Sequence, residues 1–171
     1  TITPESEWYM IESITVDGIA VTVTVADGES QIYTFTNIQS AHTITVTFVA
    51  RTFYTIATTQ GDNGQINPPT TPQYVFEGTD KTYTITPSLG YKITSIIIDA
   101  GTDNEISVPI TVEDGFVQSY TFENVQANHT ITATFAKKTY TISVTSGTGG
   151  SVEPGTVMSA EHGSTRSFEI T

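Results

Sequence analysis

The chain has no cysteine, only six lysines and arginines, and a single tryptophan in 171 residues. Without cysteine there is no disulfide framework, no thiolate metal site and no cysteine nucleophile. Eighteen acidic residues against six basic ones leave a formal charge of −12. That balance excludes nucleic acid as a partner, since affinity for a phosphate backbone rests on cations, and it is equally unsuited to an anionic membrane surface. No apolar run approaches the roughly 20 residues of a spanning helix, so membrane insertion is not expected. No charged-then-apolar leader opens the sequence, which reads as a segment of a longer chain. A sustained 3.6-residue apolar period is also missing, so helix should be scarce. What is present is 37% apolar residues, enough for a globular core, and threonine at about a fifth of all positions, well above ordinary usage. Threonine is β-branched and polar, and suits the wet face of a strand whose other face is buried.

The second dominant feature is repetition. "YTFTNIQSAHTITVTF" at 33–48 returns as "YTFENVQANHTITATF" at 120–135 with 11 of 16 positions unchanged, a displacement of 87 residues. "FYTIATTQGDNGQINPP" from Phe53 returns as "TYTISVTSGTGGSVEPG" from Thr139, a shift of 86; "YMIESITVDG" from Tyr9 returns as "YKITSIIIDA" from Tyr91, a shift of 82; "TITP" at Thr1 returns at Thr84. The unequal displacements place insertions in loops, the longest at 100–119. Read in order, residues 1–51 are the C-terminal part of one repeat, 52–138 a complete repeat, and 139–171 the N-terminal part of a third.

Within a period, apolar and polar residues alternate as in half-buried strands. Tyr54, Ile56, Tyr83, Ile85, Tyr120, Phe122, Ile131, Ala133 and Phe135 should face inward, and Thr82, Thr84, Thr130, Thr132 and Thr134 outward, with threonine supplying the wet face throughout. The run "SIIID" at 95–99 suggests a strand buried on both faces. Asp17-Gly18, Asp27-Gly28 and Asp114-Gly115 signal type I′ turns, Gly61 and Gly64 should need positive φ, and 120–135 should be the closing hairpin. The expectation is an all-β protein of tandem small modules, six or seven short strands per repeat, with little or no helix.

Three stretches carry a resemblance: "YTIxxTxGxxGxIxP" at 54–68, "GYKITSIIID" at 90–99 and "YTFENVQANHTITATF" at 120–135. In this order they resemble the divergent internalin-B-type, or Listeria-Bacteroides, repeats of large bacterial surface proteins. The resemblance implies a β-grasp-like or sandwich-like module used in tandem at the cell surface or outside the cell, and it supplies no catalytic residues. The chain departs from it at Trp8, where the second copy has Gly90, and in the long 100–119 insertion.

Candidate sites are few. His42 and His129 occupy one place in the two copies, and no Ser-His-Asp or metal spacing accompanies them, so both read as turn residues entering a strand; His162 is treated alike. "TSGTGGS" at 145–151 lacks the lysine and helix of a phosphate loop and is a turn. Asp99, Asp103, Glu105, Glu113 and Asp114 form the one cluster that could converge on Ca²⁺, though not at EF-hand spacing; otherwise no cofactor is expected. Trp8, beside a Tyr9 that reads as core, is the candidate for stacking on a sugar ring. Asn128-His129-Thr130 is a glycosylation sequon without a counterpart at Ala41.

The function expected is a non-enzymatic repeat segment, spacer or adhesive stalk, of a bacterial cell-surface or secreted protein, with neighbouring repeats as its partners. The alternatives are a module binding a glycan or a host surface protein, and a segment that self-associates head to tail by strand addition.

Overall fold

Strands rich in β-branched residues, with alternating burial, build the core of the protein. The computed structural model describes residues 1–69 and 72–171, and no helix occurs among them. The chain divides into two compact units, Thr1–Phe53 and Tyr54–Thr171.

In the first unit, β1 (Tyr9–Val16) lies between β2 (Ile19–Val21) and β3 (Ile44–Ala50), antiparallel to both. The second unit holds all but the first residue of β4 (Phe53–Gln60), followed by β5 (Gly64–Asn67), β6 (Gln73–Phe76), β7 (Lys81–Pro87) and β8 (Tyr91–Ile98). β9 (Ile106–Ser107), β10 (Gln118–Phe122) and β11 (His129–Lys137) complete the repeat. These eight strands, more than the six or seven expected, form a five-stranded sheet β6-β4-β11-β8-β9 and a three-stranded sheet β10-β7-β5. The tail adds β12 (Thr139–Ile142), β13 (Val152–Glu153), β14 (Met158–Glu161) and β15 (Glu169–Ile170), paired β12-β14 and β13-β15.

β11 holds the repeat together. It pairs antiparallel with β8 on one side and parallel with β4 on the other, from His129 opposite Ile56 to Ala133 opposite Gln60. A parallel neighbour requires a crossover, here almost the whole repeat. Ile56, Tyr83, Ile85, Ile131 and Ala133 are fully buried, and Phe122, Ile96 and Ile98 join the same core. Tyr54, Tyr120 and Phe135 pack against it, while Thr82, Thr130 and Thr134 are exposed and Thr84 and Thr132, also expected outward, are half-buried. The period-2 reading therefore holds for these strands. Burial raises the Tyr83 hydroxyl to about 12.

The first unit repeats part of this plan: β1, β2 and β3 correspond to β8, β9 and β11, and among its residues no strand corresponds to β4, β5 or β6. An isolated Ile2–Gln31 bridge stands where β7 meets β10 at Ile85 and Gln118. Among the described residues no strand covers the second edge of β3. The consequence is visible in burial: Ile44 is 40% exposed, whereas its counterpart Ile131 is 0% exposed.

Several local expectations are corrected. The phrase at 120–135 is not a hairpin, because β10 pairs with β7 and β11 with β4 and β8, in different sheets. Residues 123–128 arch from one sheet to the other, with Asn124 at φ 46° and Val125 buried, its amide donating to the Thr79 carbonyl. The run at 95–99 alternates, Ile96 and Ile98 buried and Ile97 half-buried, so only one face is fully covered. Thr58 lies inward, in phase with Ile56, so threonine does not always face water. Asp17-Gly18 has positive φ at both residues, as a type I′ turn requires, but at 27–28 and 114–115 only the glycine does, the type II pattern. Gly61 and Gly64 have no positive φ; Asn63 does. Gly64 is needed for space, because an added Cβ would run into the Phe135 ring.

Ile131→Ala should cost about 2–5 kcal/mol in equilibrium urea unfolding, against at most about 1 kcal/mol for Thr130→Ala. Equal losses would show that β11 is not the strand on which the core is built.

Candidate functional site

The two histidines of the repeated phrase have partners that lie far away in sequence. At the end of β1, Asp17 adopts φ 52°, and at the end of β8 Asp99 adopts φ 51°, a left-handed conformation that aspartate tolerates better than most residues. Each aspartate then clamps the start of the closing strand. Oδ1 accepts from the backbone N–H of Thr43 at 2.8 Å and of Thr130 at 2.7 Å. Oδ2 accepts from Nδ1 of His42 and of His129, both at 2.7 Å. The aspartate N–H groups donate back to the carbonyls of Thr43 and Thr130. Because a carboxylate only accepts, Nδ1 carries the proton and Nε2 is left as the basic nitrogen. Each imidazole also lies beside an aromatic ring, His42 on Phe35 with centroids 5.2 Å apart and His129 on Phe122 at 5.0 Å.

The histidines are therefore not lone turn residues. They orient a clamp that closes the repeat, and the carboxylate partner absent from the local sequence is supplied by the fold. Both halves of the clamp lay inside repeated phrases, and their joint recurrence was the signal that could have revealed it. A His-Asp pair can accept a proton, but catalysis by it requires a nucleophile or substrate group at Nε2. Among the described residues no side chain hydrogen-bonds to Nε2 of either histidine.

A second repeated device escaped the sequence reading. Gln31 and Gln118, two residues before the shared phrase, are both buried. Gln118 accepts from the Thr111 N–H and donates to the Pro109 carbonyl, and Gln31 does the same with Thr24 and Thr22. Each pins the loop in front of its strand. A bulge in β1 and another in β8 likewise share a hydroxyl contact, Ser13 with Thr47 and Ser95 with Thr134.

The remaining candidates disperse. Trp8 is 38% exposed and stands edge-to-face against Phe53, and Tyr9, expected in the core, is 41% exposed at the start of β1. The acidic cluster does not converge: Asp99 serves the clamp, Glu105 accepts from the Gly101 N–H, and Asp114 meets Lys92 at 3.1 Å. Among the described residues no three His, Asp or Glu side chains are placed to hold a metal ion. His162 contacts the Tyr140 hydroxyl at 3.4 Å, and its ring occupies the space that a side chain at Gly90 would need. Asn128 of the sequon accepts at Oδ1 from the Thr55 N–H. A cleft of about 300 Å³ opens beside His129, lined by Asp99, Asn104, Tyr120, Glu123 and Asn128 over an apolar floor of Ile98 and Phe122.

Strand cores, clamps and loop pins that recur while loops vary define a tandem β-repeat module. The chain belongs to the divergent InlB B-repeat family, whose model matches residues 54–139, and this is a repeat domain of bacterial surface proteins rather than an enzyme family. No curated protein and no solved structure matches the chain.

The Asp17 carboxyl lies below its ordinary value of 3.8, first because of the His42 hydrogen bond and next because of the Thr43 N–H. A depressed pKa stabilises the fold above the unfolded value, and that contribution is lost as pH falls through the folded one. Asp17→Asn should therefore lower the melting temperature near neutral pH, and the gap from the parent should close as pH falls below 3.8. A gap that is independent of pH would remove the charged clamp from the account.

Proposed function

We propose that the chain is a non-catalytic structural segment, a spacer or stalk that carries tension, in a bacterial cell-surface or secreted protein. The observation that supports this most directly is the parallel pairing of β4 with β11, the first and last strands of the complete repeat. Tension enters such a repeat at the start of β4 and leaves at the end of β11. The two strands are then drawn in opposite directions along their common axis, and the hydrogen bonds between them are loaded together in shear. A hairpin pulled from its open end breaks one bond at a time and yields at lower force. The closing clamp at Asp99, His129 and Thr130 lies at the start of β11, where it adds fixed contacts to the sheared strand.

The division between constant and variable positions supports the same reading. Clamp, pinned loop and bulge recur in both units, as expected if selection acts on architecture. Glu123 and Asn128, on the loop between sheets, are replaced by Thr36 and Ala41 in the other copy. The polar groups that are retained, Asp17 and Asp99, His42 and His129, Gln31 and Gln118, all bond within the fold.

Single-molecule pulling through the termini of the chain tests the proposal. The complete repeat, residues 54–139, should release roughly 280 Å of contour length at 3.3–3.6 Å per residue. It should do so at a force several-fold higher than when handles are attached at Phe53 and His129, the two N-terminal ends of the parallel pair. Equal forces in the two geometries would leave the tether reading without its physical basis.

A further inference from the structure

The positions that differ between the two copies meet around one cleft. Its shared part is architectural: Ile98, Asp99, Tyr120, Phe122 and His129 line it, and Val16, Asp17, Tyr33, Phe35 and His42 take their places in the first unit. Its rim is not shared. Glu123 and Asn128 correspond to Thr36 and Ala41, and Asn104 belongs to the segment inserted after Asp99, where the first unit has only the two-residue turn Asp17-Gly18. The shared residues are accounted for by the fold, whereas the side chains of Asn104 and Glu123 are not.

The hydrogen-bonding state of these groups indicates what the cleft accepts. His129 has committed its Nδ1 proton to Asp99, which leaves Nε2 as an acceptor. Asn128 uses Oδ1 for Thr55 and keeps its NH₂ donors. Among the described residues the Asn104 amide and the Glu123 carboxylate make no hydrogen bond to protein; Asn104 engages only through its backbone N–H. Two acceptors and two amides therefore stand beside the Tyr120 ring, over an apolar floor, in a volume of about 300 Å³, at the small end of the roughly 300–1,000 Å³ typical of ligand sites. Hydroxyl groups both donate and accept, and so match such a mixed set, while the C–H surface of a sugar ring packs on an aromatic side chain. Asp99 and Glu123 at the cleft, in a chain of charge −12, disfavour an anion.

From this geometry we propose that the cleft at Asn104, Glu123, Asn128 and His129 is a binding site for a neutral saccharide, present in the complete repeat and absent from its counterpart in the first unit. This goes beyond the tether reading and relocates sugar recognition from Trp8 to the inserted loop. The two proposals fail separately, since pulling forces do not depend on occupancy of the cleft.

The first unit is an internal control. Galactose, mannose and N-acetylglucosamine are titrated at millimolar concentration into ¹⁵N-labelled chain and followed by amide chemical shifts. At least one sugar should cause saturable shifts confined to residues 98–106 and 120–130, with none at 17 or 33–42. Asn104→Ala and Glu123→Gln, whose side chains hold no part of the fold, should each weaken binding about fivefold, the effect of one lost hydrogen bond. The absence of saturable shifts with all three sugars would overturn the proposal. So would shifts of equal size around His42, or an affinity unchanged in both variants.

Discussion

The parallel pairing of β4 with β11 is the contact on which the complete repeat depends. It joins the beginning of the module to its end, and it brings Ile131 and Ala133 into one buried core with Ile56. Closing a loop of this length carries an entropic cost before any contact is made. The Asp99 clamp, the Gln118 pin and the arch through Val125 each fix part of the intervening chain. They are the local contacts by which a sequence with no disulfide holds a long crossover in register.

The first unit shows what happens when that contact is missing. Its clamp, pin and bulge are all formed, so these devices do not depend on the parallel partner. Yet the inward side of β3 stays partly in water, as the exposure of Ile44 and Phe48 shows. The carbonyl of Ala133 accepts from the Gly61 N–H across the β4 side of β11, and the counterpart edge of β3, at Val46, has no strand beside it among the described residues. In the tail, β12 and β14 reproduce the β4-β6 pair and β13 and β15 the β5-β7 pair.

Much of this was legible in the sequence because a strand with one buried face imposes a two-residue period. The inward positions from Tyr54 to Phe135 and the exposed threonines followed from that period alone, and the family was legible from three ordered motifs. Strand pairing was not. "YTFENVQANHTITATF" has the local form of a hairpin, but the partner of β11 lies more than 70 residues earlier at Ile56, and a two-residue period does not encode which strands become neighbours. The glycines failed for a related reason: a retained glycine reports either positive φ or lack of space, and only the Phe135 ring shows that Gly64 is the second kind. The His-Asp clamp was hidden by its span of 25 residues in one copy and 30 in the other. The same insertion that changed this span brought Asn104 to the cleft.

Hydrogen exchange on dilute chain tests the central claim most directly, because it reads the two edges of the closing strand amide by amide. The account predicts that in β11 the amides facing β4, Ile131 and Ala133, are as protected as their neighbours facing β8. In β3 the counterpart amides of Ile44 and Val46 should exchange rapidly while Thr45 and Thr47, which face β1, are protected. Uniform protection along β3, or rapid exchange at Ile131 and Ala133, would contradict it.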